Sequence, residues 1–128
     1  LRVPNNFIIE GTYEYRSGLD AGESLLQQAQ RPTAIFASND EMAAGLIAAA
    51  HKSGLSVPEQ LSIAGFDDSG IATVVWPQLT TVRQPIKEMA AAAVNMVIKQ
   101  CRGTMEDQPT VRKLPIELIM RESTALKS

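Results

Sequence analysis

The sequence predicts an α/β fold in which a parallel sheet carries helices on its faces. Short apolar runs of strand length alternate with segments whose apolar residues recur at helical spacing, the pattern of successive strand–helix units. Gly11, Pro32, Gly54 and Pro58 fall at the boundaries of those segments. No internal repeat or low-complexity stretch competes with this reading.

Asn6 to Glu10 (NFIIE) is a short apolar run closed by Gly11 and reads as the first strand. Leu19 to Gln30 carries Leu25, Leu26 and Ala29 at helical spacing, and Pro32 ends that helix. Ala34 to Ala37 (AIFA) has the composition of a buried strand. The following helix, Glu41 to Ser53, gathers Met42, Ala43, Leu46, Ile47 and Ala50 on one face. Gly54 suits the position after its end because glycine takes left-handed geometry without steric cost, and Pro58 marks the next turn. Leu61 to Phe66 is the third strand and Leu79 to Val82 a short fourth. A helix from Ile86 to Cys101 then has Pro85 at its start and Ile86, Met89, Ala93 and Val97 facing inward. After a polar connector, Gly103 to Pro109, the alternation of Leu114, Ile116, Leu118 and Met120 predicts a half-buried strand, placed at an edge by Pro115.

A chain of 128 residues, 45% apolar and 20% charged, has the composition of one ordinary globular domain or one lobe of a larger one. Twelve basic against 14 acidic residues give a formal charge of -2, and no basic block supplies an electrostatic footprint for phosphates. The 128 residues are therefore not expected to bind nucleic acid by themselves. A lone Cys101 cannot close an internal disulfide and fits a reducing compartment, so a cytoplasmic location is expected. No apolar run reaches the length of a membrane span. The start at Leu1, without the charged and apolar regions of a signal peptide, is expected of a fragment or processed product.

In open α/β sheets the ligand crevice lies beyond the carboxyl ends of the strands. The residues leaving the predicted strands are polar: Gly11-Thr12-Tyr13, Ser38-Asn39-Asp40, Asp67-Asp68 and Arg83-Gln84. An aromatic ring beside amide and carboxylate groups suits a polyhydroxylated ligand, whose C–H face stacks on the ring while its hydroxyls bond Asn39 and Asp67. Each residue also has a plainer reading. Asn39 and Asp40 are helix-capping types, Asp67-Asp68-Ser69-Gly70 has turn chemistry, and a single loop tyrosine is more often an anchor than a platform. His51 has no second metal-ligating residue nearby and Cys101 no basic partner, so neither is assigned a role. Ile71, Val74, Val75 and Trp76 form an apolar loop cluster, which is either core or an association surface. There is no phosphate-binding glycine loop, nucleophile elbow or metal-spaced pair, so the chain is not expected to be an enzyme, and no cofactor or metal is expected. A phosphoacceptor receiver domain has similar length and alternation, but needs an acidic pair early in the chain, whereas the pair here is at Asp67-Asp68.

The stretch Gly54 to Pro85, GLSVPEQLSIAGFDDSGIATVVWPQLTTVRQP, resembles the effector-binding domain of the lactose/galactose repressor family of bacterial transcription regulators. The likeness continues through Phe36 to Gly45 (FASNDEMAAG) upstream and Leu118 to Thr124 (LIMREST) downstream, and is weakest between Gln100 and Lys113. It implies a periplasmic-binding-protein-like fold of two lobes with a sugar or nucleoside-like effector between them, of which this chain is a parallel-sheet, three-layer lobe lacking most of the other lobe. By that resemblance Tyr13 is the ring-stacking aromatic, Asn39 and Asp67 are polar effector contacts, and Gln84 is a crevice residue. Ala44, Ile47, Val74, Val75 and Trp76 fall in the implied homodimer surface. Residues 1–84 correspond to the C-terminal lobe, 85–105 to a helix packing on the other lobe, and 106–128 to a connector and closing strand returning to the first. Operator DNA would be read only by a separate helix-turn-helix headpiece, which the 128 residues do not contain. A lobe of a periplasmic sugar-binding transport protein is the alternative. The Asp67-Asp68 segment, the Leu79-to-Pro85 motif and the closing Arg121-Glu122-Ser123-Thr124 favour the regulator.

Overall fold

The computed structural model describes residues 2–103 and 111–126 and divides the chain into two compact units. The first comprises residues 1–83 with 118–128, the second residues 84–117. In chain order, a single 3-10 turn (Asn5–Phe7) precedes α1 (Tyr15–Leu26), β1 (Ala34–Phe36), α2 (Asp40–Lys52), β2 (Ser62–Ala64), a second 3-10 turn (Gly70–Thr73), β3 (Thr81–Arg83), α3 (Ile86–Cys101) and β4 (Glu117–Ile119).

Strands β1 and β2 pair in parallel, with Ala34 opposite Ser62, Ile35 opposite Ile63 and Phe36 opposite Ala64. Parallel bridges from Ala64 to Thr80 and from Asp67 to Arg83 carry the sheet across to β3, whose other neighbour is β4. The alternation of strand and helix thus yields the parallel α/β sheet that the sequence predicts. Leu61, Ile63 and Leu79 of the sheet layer are almost wholly buried against Ala43, Leu46, Ile47 and Ala50 of α2.

Helix α2 is the best specified element. Asn39 caps it, its Oδ1 accepting the Met42 N–H at 3.0 Å, and acidic Asp40 and Glu41 begin the first turn while His51 and Lys52 end the last. Helix α1 lies against it at very short range. A methyl group on Gly18 would stand 2.1 Å from the Met42 carbonyl oxygen, and one on Gly45 would stand 2.2 Å from that of Tyr15. The two helices touch backbone to backbone because these positions have no side chain.

Several elements depart from the sequence reading. No strand forms over residues 6–10; that segment makes a 3-10 turn and then runs extended, with Ile8 at φ -102°, ψ 111°. The apolar run has strand composition, but a strand exists only with a partner ladder, and none pairs with it among the described residues. Helix α1 begins at Tyr15, four residues before Leu19, since polar residues of a first turn carry no apolar period to reveal them. The closing strand shrinks to Glu117–Ile119, and the alternating side chains of Ile116, Leu118 and Met120 are exposed rather than half-buried. In the second unit, α3 buries only Ala92, while Ile86, Met89 and Val97, expected to face inward, are exposed together with Ala93. Periodicity identifies an apolar face correctly but does not show which chain covers it. The connector expected at 103–109 lies, apart from Gly103, outside the described residues.

Candidate functional site

Three loops leave the carboxyl ends of the first unit's core elements, and hydrogen bonds tie them together. The loop before α1 is held from two directions. Ser17 Oγ accepts the Thr12 N–H at 3.1 Å and donates to the Glu14 carbonyl at 3.0 Å, while Asn39 Nδ2 donates to the Tyr13 carbonyl at 2.8 Å. Asn39 is therefore both helix cap and clamp on Tyr13, whose ring remains 65% exposed. The capping reading is correct, and the amide also performs a second task.

The next residue in the chain anchors the third loop. Asp40, 1% exposed, accepts the Ser69 N–H through Oδ2 at 2.7 Å and the Thr81 hydroxyl through Oδ1. One buried carboxylate thus links the start of α2 to both the loop after β2 and strand β3. Asp67 leaves β2 with its N–H bonded to the Val82 carbonyl at 2.9 Å and its side chain exposed.

Asp68 points elsewhere. Its Oδ2 accepts Arg83 Nε at 2.7 Å, and its Oδ1 accepts Arg121 Nη2 at 2.6 Å. Burial opposes ionisation of this carboxyl, but hydrogen bonds and charge from Arg121 and Arg83 outweigh it and hold the carboxyl below its ordinary value. Arg121 also donates to the Leu79 carbonyl at 2.8 Å, and Ser123 Oγ bridges the Ile63 carbonyl and the Thr80 N–H. The closing segment is thereby stitched across β2 and β3. Neither the Asp40 hub nor the Asp68–Arg121 pair is apparent from sequence: only the adjacency of two aspartates hints that the two carboxylates do different work.

Backbone geometry marks the same loops. Among the described residues, the non-glycine positions with positive φ are Tyr13 at 64°, Asp67 at 108° and Asp68 at 54°. Each such conformation costs on the order of 1–3 kcal/mol and persists only where surroundings impose it, which is typical of ligand-contacting loops. The remaining predicted contact, Gln84, belongs to the second unit and is partly buried there.

The apolar residues assigned to a partner surface divide sharply. Val74 and Trp76 are 81% and 74% exposed, and Val75 packs partly against the core. Ala44 and Ile47, in contrast, are core residues of α2, so they have no surface to offer a second chain. No group of three or more His, Cys, Asp or Glu side chains is placed to hold a metal ion among the described residues. Nor is any described helix long and apolar enough to cross a membrane.

A sequence profile for the periplasmic binding protein-like domain matches residues 3–124. The chain belongs to that family. Within the periplasmic binding protein-like family its relatives are transcription regulators, as the motifs around Asn39 and Asp67 imply. It is 43% identical over 124 residues to catabolite control protein A of Priestia megaterium, covering 97% of this chain and 37% of that protein. The fold superimposes on the transcriptional regulator CelR in its cellobiose complex with a TM-score of 0.89 at 29% identity, over 96% of this chain and 37% of that one. On the lac repressor dimer bound to operator and the anti-inducer ONPF the TM-score is 0.82 at 30% identity, over 90% of this chain and 40% of that one. The chain thus spans little more than a third of the curated relative's length.

Proposed function

We propose that this periplasmic binding protein-like chain is the effector-sensing part of a cytoplasmic, DNA-binding transcription regulator, and that it performs no catalysis. The observation that carries the reading is the coincidence of strain and exposure at the rim: Tyr13 and Asp67 are exposed, left-handed and held there by hydrogen bonds of their loops. Strain maintained at solvent-facing polar and aromatic side chains serves contact with a ligand better than it serves the fold.

In this reading the Tyr13 ring stacks on the C–H face of a sugar or nucleoside-like effector, and Asp67 accepts hydroxyl hydrogens. Asn39, whose amide already bonds Tyr13 and Met42, contributes through its remaining donor and acceptor capacity. The assignment of Gln84 rests on its motif alone. A saccharide-bound regulator among the structural neighbours supports a sugar over other polar ligands. Effector binding would alter operator affinity by favouring one of two arrangements of the whole regulator, DNA being read by a headpiece outside these residues. Val74 and Trp76 are the proposed homodimer contacts.

Saturation-transfer NMR, which detects weak complexes, tests the site. With cellobiose, ribose and adenosine offered in turn, at least one should receive saturation at its C–H protons. Tyr13→Ala and Asp67→Ala should each abolish that transfer while the helical circular dichroism is retained. Transfer unaffected by either substitution would place the effector site elsewhere.

A further inference from the structure

The loop after β2 holds two consecutive non-glycine residues in left-handed geometry, Asp67 at φ 108° and Asp68 at φ 54°. Such a pair persists only where its surroundings impose it. Because a peptide unit is planar, the directions of three successive amide N–H groups orient the planes that flank two residues, and so fix both backbones. Here each of the three N–H groups has its own acceptor. That of Asp67 reaches the Val82 carbonyl at 2.9 Å, that of Asp68 reaches Thr81 Oγ1 at 3.4 Å, and that of Ser69 reaches Asp40 Oδ2 at 2.7 Å.

Two of these three bonds depend on Asp40. The Ser69 bond does so directly. The Asp68 bond does so through Thr81, whose single hydroxyl proton goes to Asp40 Oδ1 and leaves a lone pair for the Asp68 N–H. Asp40 and Thr81 are 1% and 0% exposed, so bulk water does not compete for these bonds. Gly65, just past β2, makes room for the carboxylate: a methyl group there would stand 2.4 Å from Asp40 Oδ1 and 2.9 Å from Leu79 Cδ2. The oxygens of Asp40 reach residues 29 and 41 positions along the chain, so the carboxylate serves the loop and β3 rather than the helix it begins. Its neighbour Asn39 holds the Tyr13 carbonyl. Adjacent residues at the start of α2 thus reach the loops of both exposed rim residues, Tyr13 and Asp67.

We infer that Asp40 is a positioning residue of the rim: through Ser69 and Thr81 it fixes the left-handed pair and so aims Asp67 at the effector. Only the last step rests on the effector reading above. The dependence of the loop on Asp40 stands on the geometry alone.

NMR of the isotope-labelled chain tests both steps separately. Intraresidue NOEs between amide and α protons are strong where φ is positive, because the two protons then stand close. They should be strong at Asp67 and Asp68 in the parent chain and fall to the level of extended residues in Asp40→Ala and in Thr81→Val. Thr81→Ser, which keeps the hydroxyl, should restore them. The threonine pair decides the matter even if Asp40→Ala does not fold. Titrations followed by saturation transfer, with cellobiose, ribose and adenosine as probes, should show Kd about tenfold higher in Thr81→Val than in the parent, the scale of one well-made hydrogen bond, and unchanged in Thr81→Ser. Strong NOEs at Asp67 and Asp68 in Thr81→Val would overturn the inference. So would their loss in Thr81→Ser, since packing of the threonine methyl would then hold the loop. NOEs lost in Thr81→Val with Kd unchanged would sustain the hold of Asp40 on the loop and overturn the effector role of Asp67. Should no probe bind the parent chain, the effector reading fails, and the NOEs still decide whether Asp40 sets the loop.

Discussion

Asp68 and Asn39 show how single side chains at the rim are divided between holding the fold and holding a ligand. Asp68, gripped by Arg83 and Arg121, has its carboxyl pKa lowered on folding, so its stabilisation is complete above the unfolded carboxylate pKa and is lost as pH falls through the lower folded value. Asp68→Asn should destabilise the chain by about 2 kcal/mol at neutral pH, the scale of charge-assisted hydrogen bonds, and should flatten the loss of urea midpoint between neutral and acid pH. An undiminished acid dependence in that variant would locate the sensitivity elsewhere. Asn39 divides its amide between the helix cap and the Tyr13 carbonyl. Asn39→Ser should keep most of the cap, whereas Asn39→Ala should cost about 1 kcal/mol; both should release the Tyr13 loop and weaken saturation transfer to a sugar. Equal transfer in Asn39→Ser and the parent chain would show that the clamp on Tyr13 is not needed. At this scale the sequence displays which residues are polar and lie at strand ends, because that follows from alternation alone. It conceals which neighbour each one holds: Asp40 meets Ser69 and Thr81 only after the chain has folded.

Among the elements, those with internal signals are read well and those defined by a neighbour are not. Helix α2 carries its cap, its charge gradient and its apolar face in consecutive residues, and its span from Asp40 to Lys52 differs by one residue at each end from the predicted Glu41 to Ser53. Residues 6–10 have strand composition without a partner, and β4 turns its apolar side chains outward; composition contains neither fact. The contact of α1 with α2 is equally hidden, since Gly18 and Gly45 read locally as weak points in helices rather than as contact points. Gly45→Ala should therefore run against helix propensity. The methyl group would meet the Tyr15 carbonyl oxygen and the Leu19 N–H group in a junction of rigid backbones, and a loss of about 3 kcal/mol is expected, at the upper end for overpacking. Gly54→Ala, where the added methyl meets nothing within 4 Å but φ is +71°, should cost only about 1 kcal/mol. Urea denaturation of the two variants distinguishes packing from backbone strain: comparable losses would mean that the helices can move apart at little cost.

For the molecule as a whole, the decisive feature is apolar surface in excess of what a lone domain ordinarily leaves open. Val74 and Trp76 project from the first unit, and Ile86, Val94, Val97 and Ile98 from α3 of the second. Burying even a few such side chains is worth about 1.5–3 kcal/mol each, ample to drive association once the entropic cost of bringing two chains together is met. The chain is accordingly expected to self-associate, with the Val74–Trp76 loop in the contact. Trp76 is the single tryptophan, which makes the expectation directly readable. Its emission should be red in dilute solution, where the ring is 74% exposed, and should shift to the blue as sedimentation velocity records a heavier species. Trp76→Arg and Val74→Asp leave core packing untouched and should each move the association midpoint at least about tenfold higher in concentration, the equivalent of about 1.4 kcal/mol. If sedimentation shows association while Trp76 emission stays red, the contact runs through another apolar surface such as α3 instead, and the surface assigned from the regulator motifs is displaced from its proposed place.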